Sequence, residues 1–232
     1  MKTKSLLMTA LLMTLAGVGS QASTHLCGPK FEKSPRVEAV DITDLPNRSG
    51  TFDSYHDFNY SGRSRVLFLS DGASSLKLGA DSKTFFVTTD IERYRGINVQ
   101  ADNNNLPFQR GAFELIIMNR GLCPCRSETM TCGGLKLEAS QLRSFLTQVT
   151  EALDEKKQSS MALLTGFAFP GRNAEKVPDL FISVLEELMD QYPQFDFRIL
   201  SDTNKKTKYG FVGIAISIKN QPIGENIVRL VL

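Results

Sequence analysis

The segment TFFVTTDIERYRGINVQADNNNLPFQRGAFELIIMNRG, Thr84–Gly121, decides how the chain is read. Phe85–Val87 and Phe113–Met118 are apolar runs too short for a typical helix and bounded by polar residues or glycine, so they predict buried strands. Asp90 ends the first run, and Asp102 follows the short apolar patch Ile97–Val99. An acidic residue at the carboxyl end of a parallel strand lies on the edge where open α/β sheets bind ligands.

Working outward, Arg65–Leu69 (RVLFL) predicts a strand, followed by the turn SDGASS and a helix of one or two turns at Leu76–Ala80. Ile97–Gln100 predicts a weak strand. Only six residues separate it from Asp90, whereas a parallel crossover needs about a dozen. Either the usual helix is missing there or the strand is vestigial. Gly121–Gly134 carries three cysteines and two adjacent glycines and predicts a loop. Leu142, Phe145, Leu146, Val149 and Leu153 fall at helical spacing, as do Val177, Leu180, Phe181, Val184, Leu185, Leu188 and Met189. Met161–Leu164 between them predicts a strand. Phe195, Phe197 and Ile199 alternate as a sixth strand, and Phe211–Ile218 is the seventh. The last two follow one another without a helix, so they are expected to be antiparallel. The expected fold is α/β: a Rossmann-like, seven-stranded, mostly parallel sheet ending in an antiparallel hairpin, with helices on both faces.

The flanks set the address. Residues 1–22 read as a secretory signal, with Lys2 and Lys4, an apolar run Leu6–Val18 and a small-x-small site at Ser20-Gln21-Ala22. That run is shorter than the roughly 20 residues of a membrane span, so no stable membrane insertion is expected after cleavage. A bulky Leu26 before Cys27 does not suit a lipid-attachment site. The expected location is outside the cytoplasm, periplasmic or secreted. Residues 23–62 read as an irregular arm over the domain surface, with Val37–Ile42 as a short edge strand. Residues 63–220 form the domain, and 221–232 a tail. Without Lys2 and Lys4 the basic and acidic side chains balance at 25 each. No basic stripe points to nucleic acid.

Residues 65–218 resemble the class I S-adenosylmethionine-dependent methyltransferases, particularly their small type 11 domains. The most specific likeness is ADNNNLPFQRGAFELIIM, Ala101–Met118, similar to that family's segment ADA-x-x-LPF-x-x-G-x-FD. The resemblance implies S-adenosylmethionine as a small-molecule cofactor and leaves the substrate unknown. Asp90 matches the acidic residue that accepts hydrogen bonds from the ribose hydroxyls, and a carboxylate offers acceptors for both. Asp102 matches the residue that meets the adenine amino group, Asn103 would add an amide contact, and Leu106 and Phe108 would line the adenine slot. The family's glycine-rich turn aligns with VLFLSDGASS, where Phe68 replaces an acidic residue and Ser70 and Ser74 replace glycines. Gly72 keeps its type. Glycines there let the backbone approach the cofactor, so the turn at Ser70 and Gly72 is an impaired version. Considered alone, Asp90 and Asp102 are equally suited to capping loops, and Phe68 is expected to pack into the core. No residue is assigned a catalytic role.

The four cysteines are Cys27, Cys123, Cys125 and Cys132. In an exported protein they are expected to form disulfides, with Cys132 pairing Cys123 or Cys125 and the other reaching Cys27. The alternative is a thiophilic metal or metalloid held by Cys123, Cys125 and Cys132. His25 and His56 form no ligand cluster, and no Ser-His-Asp order, Walker loop or HExxH occurs. Two functions remain: an exported methyltransferase, or a non-catalytic relative that binds another ligand, or a metal through its cysteine loop.

Overall fold

The computed structural model describes residues 36–41, 62–69, 83–92, 97–122, 139–166, 179–201 and 211–221. The expected leader, the turn and short helix at 70–80 and the cysteine loop lie outside these. So does most of the arm at 23–62. Of the edge strand expected at Val37–Ile42, residues 37–41 are described, and they hold strand β1, Glu38–Asp41.

The remaining elements are β2 Arg65–Leu69, β3 Phe85–Asp90, β4 Val99–Gln100, β5 Leu115–Leu122, α1 Ala139–Ala152, β6 Met161–Gly166, α2 Asp179–Gln191, β7 Phe195–Ser201 and β8 Phe211–Ile218. They form one sheet in the order β1-β7-β8-β6-β5-β2-β3-β4. Only β8 runs antiparallel to its neighbours. With β1 set aside, the order is 3-2-1-4-5-7-6 with the seventh strand antiparallel, the methyltransferase-like α/β arrangement. The eighth strand is an addition: β1 pairs in parallel with β7 from Glu38↔Arg198 to Asp41↔Ser201. Ion pairs Arg198–Glu38 and Arg36–Asp190 hold it to β7 and α2.

The central strands are buried on both faces, which is why they read as continuous apolar runs rather than alternating ones. One face carries Leu67, Leu69, Ile116, Met118, Ala162 and Leu164, packed with Leu142, Phe145, Leu146 and Val149 of α1 and Val184, Leu185 and Leu188 of α2. Both described helices thus lie on this face, each through the stripe its spacing predicts. Val66, Phe68, Leu115, Ile117, Met161 and Leu163 on the other face are equally buried. Phe68 packs there against Phe86, with ring centroids 5.8 Å apart.

Two expected strands shift. The third shrinks to two residues, because β4 pairs only with the last two of β3, as Thr89↔Val99 and Asp90↔Gln100. The chain therefore need not travel back along β3, and a short connection suffices. Asn98 extends this edge: its Oδ1 accepts from the Thr88 amide at 3.0 Å, and its own amide donates to the Thr88 carbonyl at 3.1 Å. The strand expected at Phe113–Met118 starts at Leu115 and runs on to Leu122. Phe113 is drawn instead to the end of α1. Its amide donates to the Ala152 carbonyl, and its carbonyl accepts from Asp154. Asn119 and Arg120, and Gly121 where the expected loop begins, continue β5 past an irregularity in its pairing with β6. No described helix is long and apolar enough to cross a membrane.

The amino edge of the sheet is closed by its own polar groups. Glu114, 2% exposed, accepts from the Ser64 amide and hydroxyl and faces Arg65 and Lys157. Arg65 also pairs with Asp154. Burial pushes the Glu114 carboxyl up, but the Ser64 bonds and the two cations outweigh it and hold the group below the usual glutamate range.

Two stability predictions follow from this packing. A Cβ at Gly213 would fall on the Leu164 carbonyl oxygen and within 2.9 Å of the Thr165 Cα, both main chain. Gly213→Ala is therefore expected to force β6 and β8 apart at a cost of about 2 kcal/mol, read as a fall in melting temperature of roughly 4–8 °C. A lowered folded-state pKa at Glu114 means stability that is full above the usual glutamate range and is lost as pH falls through the folded value. Glu114→Gln is expected to lose about 2 kcal/mol at neutral pH in urea unfolding. The gap to wild type is expected to close as pH falls below the usual glutamate range; a gap that stays constant with pH would contradict this account.

Candidate functional site

Strand order places the site. From β2 the chain proceeds to β3 and β4 on one side, then returns to β5 on the other. The two directions diverge between β2 and β5, and open α/β sheets bind ligands outside the carboxyl ends of the strands at such a point. Hydroxyls bridge neighbouring strands on either flank. Thr89 of β3 donates to the Phe68 carbonyl of β2 at 3.2 Å, and Thr165 of β6 donates to the Met118 carbonyl of β5 at 3.1 Å.

The register of β3 and β4 brings Asp90 and Asp102 to one edge. Asp90 is the last residue of β3 and lies opposite Gln100, and its carbonyl accepts from the Ala101 amide at 2.9 Å. Asp102 follows two residues beyond Gln100. The Asp90 carboxylate is buried, 8% exposed, and Oδ1 accepts from the Glu92 amide at 3.0 Å. Asp102 is exposed, and its Oδ1 accepts from the Asn104 amide at 2.9 Å and from Asn104 Nδ2 at 3.1 Å. Both are bonds from aspartate to the residue two further on, the local turn that the bland reading expects. A carboxylate offers about four acceptor positions, so ordering a loop and accepting from a ligand are compatible roles.

Beyond Asp102 the chain is laid against α1. Gln148, half-buried on that helix, accepts from the Leu106 amide at 2.5 Å and donates from Nε2 to the Asn104 carbonyl at 2.6 Å. One side-chain amide thus pairs with the loop as a neighbouring strand would. Leu106 and Phe108 pack on the core, and Phe108 meets Phe113 edge-on at 5.0 Å. Gly111 takes φ +71°, a left-handed conformation that side chains disfavour. That turn aims its amide at the Glu151 carbonyl, 2.8 Å away, and Phe113 caps the Ala152 carbonyl next to it. These are carbonyls that the end of a helix leaves without internal partners. The LPF-x-x-G-x-F pattern thus has a local physical meaning: two apolar anchors, one left-handed glycine and a helix cap.

The expected site residues are placed unevenly. Asp90, Asp102, Asn103 and Leu106 lie on one continuous rim at the carboxyl ends of β3 and β4. Ser70 and Gly72 lie outside the described residues, as do Cys27, Cys123, Cys125 and Cys132. Phe68, which aligns with an acidic position, is fully buried and takes no part. No His, Cys, Asp and Glu grouping able to hold a metal occurs among the described residues. Two features were missed. Gln148 is an ordinary polar residue on a helix surface, with no motif to mark it. Asn104 Oδ1 is buried without a hydrogen-bond partner, at a cost of about 1–3 kcal/mol. The run Asn103-Asn104-Asn105 offers no signal as to which amide turns inward.

The rim fits the nucleoside half of S-adenosylmethionine in the chemistry of its donor set. Two carboxylates stand at adjacent strand ends, with apolar Leu106 and Phe108 beside them. Both would accept from hydroxyl or amino groups, and the apolar pair offers a surface for a purine face.

No family model matches the chain, and no curated protein matches it. Among solved structures it is similar to the YcgJ protein of Bacillus subtilis, at 13% identity over 68% of this chain and 92% of that one, with a TM-score of 0.39. It is similar at the same 13% identity to a SAM-dependent methyltransferase of Aquifex aeolicus, over 67% and 82% with a TM-score of 0.37. A SAM-dependent methyltransferase of Methanosarcina mazei is likewise 13% identical over 70% and 93%, with a TM-score of 0.35. These superpositions are loose, and the strand order carries the assignment: the chain has the class I methyltransferase fold.

Proposed function

We propose that the chain is an exported, S-adenosylmethionine-dependent methyltransferase-like protein that binds the nucleoside of its cofactor on the rim from Asp90 to Leu106. The observation that carries this reading is the register Asp90↔Gln100, which sets two carboxylates at neighbouring strand ends beside the crevice between β2 and β5. Asp90 accepts from the ribose hydroxyls, and Asp102 from the adenine amino group with Asn103 beside it. Leu106 and Phe108 bound the adenine. The bound cofactor supplies an electrophilic methyl group on a sulfonium centre. Displacement of that methyl needs alignment more than proton transfer, so the reading requires no acid–base pair from the chain. By the resemblance, Ser70 and Gly72, which follow β2 in the sequence, would serve the same cofactor.

A second reading is a non-catalytic binder that keeps the rim and has lost the reaction. The serines at positions 70 and 74 favour it, as does the expected export, since the methyl donor is a cytoplasmic metabolite. Under either reading Cys123 is next in sequence after Leu122, the last residue of β5, with Cys125 and Cys132 further along the chain. We assign them to disulfides with Cys27, ahead of a thiophilic metal site, because the exported compartment is oxidising.

Calorimetric titration of the mature protein with S-adenosylhomocysteine tests the proposal. Micromolar affinity is expected, weakened at least tenfold in Asp90→Ala by the loss of charge-assisted bonds. Absence of heat at millimolar ligand would sink the cofactor reading, and tight binding without methyl transfer to any acceptor would select the second. Thiol titration of the oxidatively purified, denatured protein is expected to find no free cysteine. Four free thiols would remove the disulfide assignment.

A further inference from the structure

The loop after β4 is held in place by two observations that belong together. Gln148 of α1 clasps it from one side, accepting from the Leu106 amide at 2.5 Å and donating to the Asn104 carbonyl at 2.6 Å. The same Nε2 lies 3.3 Å from Ser144 Oγ, one turn back on the helix, which fixes the rotamer of the glutamine. On the other side Asn104 Nδ2 holds the Asp102 carboxylate, and in that orientation Asn104 Oδ1 is left buried without a partner. Turning the amide over would set its oxygen against the Asp102 oxygen, so the arrangement has no relaxed alternative while the loop keeps its path. A buried acceptor without a partner is unfavourable. Strained arrangements of this kind persist where the surroundings over-determine them, and they cluster at binding sites. Here the surroundings are Gln148 and the cap that Gly111 and Phe113 place on the end of α1.

We infer that Gln148 is a positioning residue for nucleoside binding: it holds residues 102–106 in a conformation that the isolated loop would abandon. Asp102 and Leu106 are thereby presented ready-made, and a ligand does not have to order them on arrival. The inference rests on the reading of Asp90 to Leu106 as a nucleoside rim, and it adds that the affinity of that rim is set from α1. It also separates binding from stability. When Gln148 is truncated, the two lost hydrogen bonds are offset by release of Asn104 Oδ1 to water, so the fold loses little while the rim loses its shape.

The test is titration of wild type, Gln148→Ala and Gln148→Glu with S-adenosylhomocysteine and with adenosine. Melting temperature and amide hydrogen exchange at Leu106 are measured in parallel. Gln148→Ala is expected to raise Kd at least tenfold and by the same factor for both ligands, because the loop acts on the nucleoside alone. Its melting temperature is expected to move by less than about 2 °C, with faster exchange at Leu106. Gln148→Glu keeps the acceptor for Leu106 but sets a carboxylate against the Asn104 carbonyl, so its binding is expected to be no better than that of Gln148→Ala. Unchanged affinity in Gln148→Ala, with wild type binding normally, would overturn the inference and leave the nucleoside rim standing. A large fall in melting temperature that accounts for the lost binding would reduce Gln148 to a purely structural role. If wild type binds neither ligand, the rim reading itself fails and the inference falls with it.

Discussion

The structure depends on the burial of β2 between β3 and β5. Val66, Leu67, Phe68 and Leu69 are all fully enclosed, so every main-chain group of this strand must find its partner within the sheet. Parallel pairing to both neighbours, from Arg65↔Phe85 and from Val66↔Leu115, meets that demand. A slip of one residue would exchange the two faces, sending Phe68 toward α1 and moving the end of β3 relative to the crevice. The position of Asp90 is thus a consequence of how β2 is buried.

The two edges of the sheet use carboxylates differently. At the amino edge Glu114 and Asp154 meet Arg65 and Lys157, and the charges close on one another. Such a network locks strand starts together and leaves little for a ligand to do. At the carboxyl edge Asp90 and Asp102 take amide donors two residues further along, bonds that shape a loop. The same residue type therefore closes ion pairs at one edge and orders loops at the other. The difference lies in what the neighbouring strands bring close, since nothing in the short local sequences would separate the two cases.

The added strand β1 shows how far the sheet extends beyond its functional centre. It covers the outer edge of β7, which would otherwise present unpaired main chain to other molecules. The Arg36–Asp190 pair is exposed and weak, so the main-chain ladder with β7 and the half-buried Arg198–Glu38 pair hold it. The opposite edge is protected differently: β4 is only two residues long, and the Asn98 side chain extends its cover to Thr88.

The sequence by itself determined the strands and helices of the core, because burial on two faces or on one stripe writes itself into apolar runs and helical spacing. Arg65–Leu69, Met161–Leu164 and the stripes of both helices were legible for that reason, and so was the antiparallel seventh strand, which no helical spacing separates from the sixth in the sequence. Asp90 and Asp102 were legible as strand-end residues, and LPF-x-x-G-x-F as a pattern. Other features belonged to the tertiary structure alone, because they depend on partners distant in the chain. The parallel seat of β1 on β7 joins residues about 160 apart, and the shift of β5 toward Leu122 follows from where α1 ends and β6 lies. The clasp of Gln148 on Asn104 and Leu106 spans more than forty positions. A glutamine on a helix surface and the middle member of three asparagines carry no local signature. Only the fold, by laying the loop after β4 along α1, made one the holder of the rim and turned the other inward.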